Sequence, residues 1–161
     1  MKHVKLDRID QIILREMQNN GRMTNVDLAQ KAGISAPPCL RRVRALEEAG
    51  YIRGYHADVV PEKLGFGLTV FIHVGLGGHS EADLTHFAKL ADAWPQVRAC
   101  YMLAGETDYL LKVVAEDWEG FQKFLTTQLT PAPNVVHVKS YPAVQRTKFQ
   151  SGVPIEVKEE E

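Results

Sequence analysis

Apolar residues recur at helical spacing three times in the first fifty positions. Leu6, Ile9, Ile12, Ile13 and Met17 form one stripe, with Asp7 placed to cap it and Asn20 and Gly21 placed to end it. Leu28, Ala29 and Ala32 form a shorter second stripe. Thr24 opens it, and Asp27 three residues on makes an acidic capping box. Gly33 stops this helix, because a left-handed backbone costs glycine little. Ser35 then caps a third helix after a very short turn. Pro37 and Pro38 fall in its first turn, where N–H groups have no intrahelical acceptor and their loss costs nothing. On a helical wheel Leu40, Val43 and Leu46 point inward with Cys39 at the margin. Pro38, Arg41 and Ala45 point outward, flanked by Arg42 and Arg44. Residues 51–60 are aromatic and branched, which predicts a short strand or wing before a linker at 61–67.

Beyond residue 67 the period shifts to two. Leu68, Val70, Ile72, Val74 and Leu76 lie on one face of a strand. Ser80 and Asp83 form a capping box for a helix packed through Leu84, Phe87, Ala88 and Ala91 and ended by Trp94 and Pro95. Residues 97–103 and 109–115 read as a hairpin, Trp118, Phe121, Phe124, Leu125 and Leu129 as a second helix, and residues 135–143 as a fourth strand. The expected architecture is therefore α+β. A three-helix head spans residues 1–60, a ferredoxin-like βαββαβ domain with an antiparallel sheet and two helices on one face spans 61–150, and a flexible acidic tail spans 151–161. The other sheet face, carrying Phe71, Tyr101 and Leu103, lacks helices of its own, and a second copy of the chain is its natural cover.

Charge sharpens this division. Residues 1–60 hold 10 basic and 7 acidic side chains, a net of +3, whereas 61–161 hold 9 and 13, a net of −4. Helix, tight turn and arginine-bearing helix form the layout of a module that lays its second helix in the major groove of double-stranded DNA. The plain alternative is an amphipathic helix whose arginines are solvated or paired with nearby acids. A head charge of +3 is small for neutralising several phosphates, so several copies are expected to act together. Two cysteines in separate predicted domains argue against a disulfide. The polar start and the lack of a long apolar run predict a cytoplasmic protein with no membrane partner. His79, Asp83 and His86 near a helix start are a weak metal set, and neither metal nor cofactor is expected. Residues 104–108 read by themselves as a hairpin turn with Gly105 supplying unusual dihedrals.

A resemblance extends the reading. Leu6-Asp7-Arg8-Ile9-Asp10, Gly21-Arg22, Leu28-Ala29, Ile34-Ser35, Arg42-Val43, Leu46-Glu47, Gly50-Tyr51-Ile52, Gly54-Tyr55 and Gly105-Glu106-Thr107-Asp108-Tyr109 resemble the Lrp/AsnC, or feast/famine, family of transcription regulators over nearly the whole chain. Pro38-Cys39-Leu40 and Asp108-Tyr109-Leu110-Leu111-Lys112 are most like its leucine-responsive branch. The resemblance implies a DNA-binding regulator, not an enzyme, that assembles into homodimers and octamers and answers to an amino acid such as leucine or methionine. Sirohaem decarboxylases share the fold and are the enzymatic alternative, against which the arginine-bearing helix argues. Carried over, the DNA contacts are Ser35, Pro37, Pro38, Arg41, Arg42 and Arg44, with Thr24 and Asn25 on phosphates and Arg53 helping from the wing. The effector site is Ala104, Gly105, Glu106, Thr107 and Asp108, where backbone N–H groups meet a carboxylate and Asp108 or Glu106 meets an ammonium. Trp118 and Tyr141 line an apolar pocket beside it at the dimer boundary, although aromatics at such positions are more often core.

Overall fold

A computed structural model describes residues 6–157, which form two compact units: residues 6–58 together with 148–157, and residues 59–147.

The first unit contains α1 (Arg8–Asn19), α2 (Asn25–Ala32) and α3 (Ala36–Glu48). Each start follows from its cap. Asp7 accepts from the Asp10 N–H while the Asp10 carboxylate accepts from that of Asp7, and Thr24 accepts from the Asp27 N–H. Gly33 ends α2 at φ 70, letting the Ile34 N–H reach Ala29 O at 3.0 Å. Ser35 stands at the cap of α3, but its side chain makes no capping bond, contrary to expectation. The core is Ile12, Ile13, Leu28, Ala29, Ala32, Cys39, Val43 and Leu46. Here the wheel reading needs a correction: Cys39 is fully buried, whereas Leu40 is 40% exposed. At 100° per residue Cys39 and Leu46 lie about 20° apart, whereas Leu40 and Leu46 lie about 120° apart, too far for one narrow stripe.

Two further expectations for this unit are corrected. Residues 51–60 form no strand, so the wing is an irregular segment that joins no sheet ladder among the described residues. Nor is the stretch from residue 151 a free tail, since residues 148–157 belong to the first unit. The Gln18 side-chain amide donates to Val153 O at 2.7 Å and accepts from the Val153 N–H at 3.0 Å, imitating one rung of a strand pair. Val157 packs on the helical core, and the acidic end from residue 158 lies outside the described residues. Gly152 carries φ 79, and a Cβ there would collide with Gln18. We expect Gly152→Ala to release this strap and speed tryptic cleavage after Lys148, read by mass spectrometry of a limited digest. An unchanged rate would show that the Gln18 clamp does not seat it.

The second unit holds β1 (Leu68–Leu76), α4 (Glu81–Ala93), β2 (Val97–Met102), β3 (Tyr109–Ala115), α5 (Trp118–Phe124) and β4 (Val135–Pro142). The antiparallel sheet runs β2-β3-β1-β4, the expected ferredoxin-like arrangement. Strict alternation sorts its faces. Val70, Ile72, Val74 and Leu76 with Tyr109, Leu111, Val113 and Ala115 are buried under the helices, beside Phe87, Phe121 and Phe124. Tyr109 bolts α4 to the sheet by donating to Leu84 O at 2.9 Å. α5 ends in a wider π turn, Leu125–Leu129, in which the Thr126 and Thr127 hydroxyls bond back to carbonyls of the preceding turn. The opposite sheet face presents Phe71 and His73 from β1, Tyr101 from β2, Leu110 and Lys112 from β3, and Tyr141 from β4. Of these, Phe71, Tyr101 and Tyr141 are exposed.

Candidate functional site

In the first unit the question is which side chains of α3 are free to meet a ligand. Burial of Cys39, Val43 and Leu46 turns Pro37, Leu40, Arg41, Arg44, Ala45 and Glu48 to the surface at helical spacing. Pro38 is half-buried and Ser35 is exposed. Arg41 and Arg44 have no acidic partner among the described residues, so both guanidiniums keep all their donors.

Arg42 is different and corrects the expectation that it faces DNA. Its Nη1 donates to Asp7 Oδ2 at 2.7 Å and to Asp10 Oδ1 at 2.8 Å, fastening α3 to the start of α1. Asp10 is 6% exposed and Arg42 only half-buried, so this is a partly dry ion triad rather than a surface pair. Burial tends to raise the Asp7 pKa, but the Asp10 N–H and the Arg42 guanidinium outweigh it and hold that carboxyl below its ordinary value. The alternative of arginines paired with nearby acids therefore holds for one arginine of three, the one carrying structural load between helices.

Thr24 and Asn25 are also committed locally. The Thr24 hydroxyl spends its one proton on Asp27 Oδ2 at 2.6 Å, and a phosphate needs donors. Asn25 Nδ2 donates to Ala36 O at 2.8 Å, which locks the first residue of α2 to the first residue of α3 and fixes the turn. The Thr24 hydroxyl thus serves the start of α2, and Asn25 ties α2 to α3 with one of its two amide protons. Arg53 is exposed on the irregular segment.

In the second unit, residues 103–108 close the β2–β3 hairpin. The Leu103 N–H donates to Asp108 O at 2.8 Å, and the Asp108 N–H to Val74 O at 3.0 Å. The Asp108 carboxylate accepts from the Leu76 N–H at 2.7 Å and meets His79 Nε2 at 2.9 Å. Each of its oxygens thus already has a partner within the chain, which anchors the end of the loop. Glu106 is the loop's exposed carboxylate. His79 comes from a connection held rigid by its own bonds. The Gly77 N–H donates to Asn134 O at 2.9 Å, Asn134 Nδ2 donates to Gly78 O at 3.0 Å, and Ser80 and Asp83 box the start of α4. Asp83 is therefore a cap and His79 a loop anchor.

Gly105 does not adopt a positive φ, so the hairpin does not need it for its dihedrals as expected; a Cβ there would meet only open space. Thr107 Oγ1 lies 3.0 Å from His73 Nδ1, and the His73 ring meets Tyr141 edge-on at 5.4 Å. The structure thus joins Thr107 and Tyr141 through a histidine that sequence reasoning missed. Its only signal is an ionisable residue in the middle of a strand whose other members, Thr69 aside, are apolar. Trp118 is not brought to this loop. It starts α5 beyond the far end of β3, whose seven residues span roughly 23 Å, and it packs on Phe121 instead. Within one protomer it lines no common pocket with residues 104–108. Both cysteines are free thiols, and no helix among the described residues is long and apolar enough to cross a membrane.

Comparison with known proteins bears on both units. Residues 6–53 match the pattern of winged helix-turn-helix DNA-binding domains, and residues 69–153 match that of the Lrp/AsnC ligand binding domain. The chain is 50% identical over 152 residues to the leucine-responsive regulatory protein of Rhizobium meliloti strain 1021, covering 94% of this chain and 97% of that one. It is 43% identical over 152 residues to the Bkd operon transcriptional regulator of Pseudomonas aeruginosa, covering 94% and 99%. Among solved structures, a transcriptional regulator of Neisseria meningitidis in complex with L-methionine superposes with a TM-score of 0.88 at 37% identity, covering 93% of this chain and 97% of that one. These relatives are regulators and not enzymes, and they match across both units. The chain belongs to the Lrp/AsnC family of transcriptional regulators.

Proposed function

We propose that the first unit reads double-stranded promoter DNA with the outer face of α3, and that the second unit senses an amino acid at residues 103–108 and assembles the chain into homodimers and octamers. The observation that carries the DNA reading is the contrast among the three arginines of α3: Arg42 is consumed in an ion triad, while Arg41 and Arg44 are exposed and unpaired on the same side as Pro37. Two guanidiniums one turn apart match base edges and phosphates in a major groove. Ser35 and Pro38 border this face, and Arg53 adds charge from the irregular segment. One head supplies few phosphate contacts, so a second copy, recruited through the open sheet face, would span a palindromic site with half-sites one helical turn or a multiple apart.

For the effector, the open space over Gly105 and the exposed Glu106 leave room for an amino acid whose two ends would meet backbone N–H groups and a carboxylate. Leucine and methionine are the first candidates, the one suggested by the name of the Rhizobium relative and the other by the ligand of the Neisseria structure. A panel of amino acids tests this by isothermal titration, with thermal shift and light scattering run in parallel. The expected result is heat with leucine or methionine, a raised unfolding midpoint and a changed assembly mass. No heat with any amino acid would remove the sensing claim and, if DNA binding persists, leave a ligand-independent DNA-organising protein.

A further inference from the structure

We propose that His73 is a positioning residue of the effector site, acting through the Thr107 hydroxyl. The inference rests on the reading of residues 103–108 as that site. β1 is one of the two central strands, paired on both sides, and the residues on either side of His73, Ile72 and Val74, are fully buried on the helical face. A half-buried position on the opposite face suits a branched or aromatic residue. A histidine there has to find polar partners. His73 stands opposite Leu110 of β3 and Lys139 of β4 in register, and its Nδ1 reaches Thr107 in the loop just before β3, 34 residues away in sequence. The same ring is held edge-on by Tyr141. Gly75, next along the same face, has no side chain to crowd the ring.

The consequence lies in the donor count of Thr107. A hydroxyl has one proton and two lone pairs. With Nδ1 as acceptor, the proton points into the sheet and Oγ1 offers only lone pairs outward, toward an ammonium; with Nδ1 protonated, Oγ1 accepts from the ring and its own proton can point outward, toward a carboxylate. With no partner at position 73, the hydroxyl turns freely and presents donor and acceptor alike. His73 thus decides which end of an amino acid Thr107 can meet, and it fixes the loop against the strand at the one residue between exposed Glu106 and the anchored Asp108.

Three variants separate this role from mere packing, each titrated calorimetrically with L-methionine and with L-leucine after circular dichroism has established folding. His73→Phe keeps the aromatic edge toward Tyr141 and removes the bond to Thr107; affinity should fall about tenfold. His73→Asn places a polar atom where Nδ1 was, and should recover most of that loss. In a Thr107→Val background, His73→Phe should have no further effect, because the partner is already gone. The proposal is overturned if His73→Phe binds as tightly as the parent, if the asparagine variant is as weak as the phenylalanine one, or if the two substitutions add. A parent protein that takes up neither amino acid would instead overturn the effector reading, and the role of His73 with it.

Discussion

Arg42→Ala should lower the unfolding midpoint of the helical unit by roughly 10 °C, a loss of about 2 kcal/mol in a unit of this size. Removing the guanidinium leaves Asp10 at 6% exposure with no cation, and a buried carboxylate deprived of its partner is among the costlier single changes. Arg42 is half-exposed and Asp7 is exposed, so the loss should fall short of that for a fully buried triad. Lysine should recover only part of it, because one ammonium on a flexible stem replaces a planar group that bridges both carboxylates. The pH dependence follows from Asp7. Its folded pKa is lowered, so its contribution is fully present above the unfolded carboxylate value and is lost as pH falls through the folded one. The parent should therefore lose stability on acidification from about pH 5 downward, and Arg42→Ala should show a shallower acid limb. Glu16, held low chiefly by its bond to Lys31, keeps its own share in both proteins. A thermal melt followed by circular dichroism between pH 3 and pH 7 reads all of this. An unchanged midpoint at neutral pH would mean that the triad carries no load.

Arg41→Ala combined with Arg44→Ala should do the reverse, leaving stability nearly untouched and weakening binding to promoter DNA about a hundredfold, from 1–3 kcal/mol per contact. Both side chains are exposed and unpaired, so nothing in the helical core is disturbed. Each lost phosphate contact also takes about 0.9 from the slope of log affinity against log salt, so the slope should drop by about 2 per head. Arg42→Ala, measured at a temperature where it is folded, should leave that slope alone. Titrations at several salt concentrations with the three proteins make the comparison. Equal slopes for the double variant and the parent would show that another face of the head meets DNA.

Much of this was legible in the chain because its determinants are local. Asp7 and Ser80 cap helices whose third residues complete the boxes, Thr24 caps α2 through its own side chain, and Gly33 stops α2 at a positive φ, all within four residues of where they act. The alternation of residues 68–76 sorted buried from open positions before any partner strand was known. Cys39 and Leu40 are ranked by helical angle rather than by hydrophobicity: Cys39 lies about 20° from Leu46 and is buried, whereas Leu40 lies about 120° away and is exposed.

The sequence by itself determined the element order, the caps, the buried face of each strand and the family, because short-range periodicity and backbone capping need no distant partner. Only the tertiary structure decided what the charged and polar side chains are for. Arg42 meets acids 32 and 35 residues away, Asp108 meets the Leu76 N–H 32 residues away, and Gln18 meets Val153 135 residues away. Such pairings carry no period that a sequence can display, since a long flexible side chain takes whatever complement the packed backbone brings within about 3 Å. That is why three arginines alike on a helical wheel separate in the folded chain into one structural clamp and two exposed, unpaired guanidiniums.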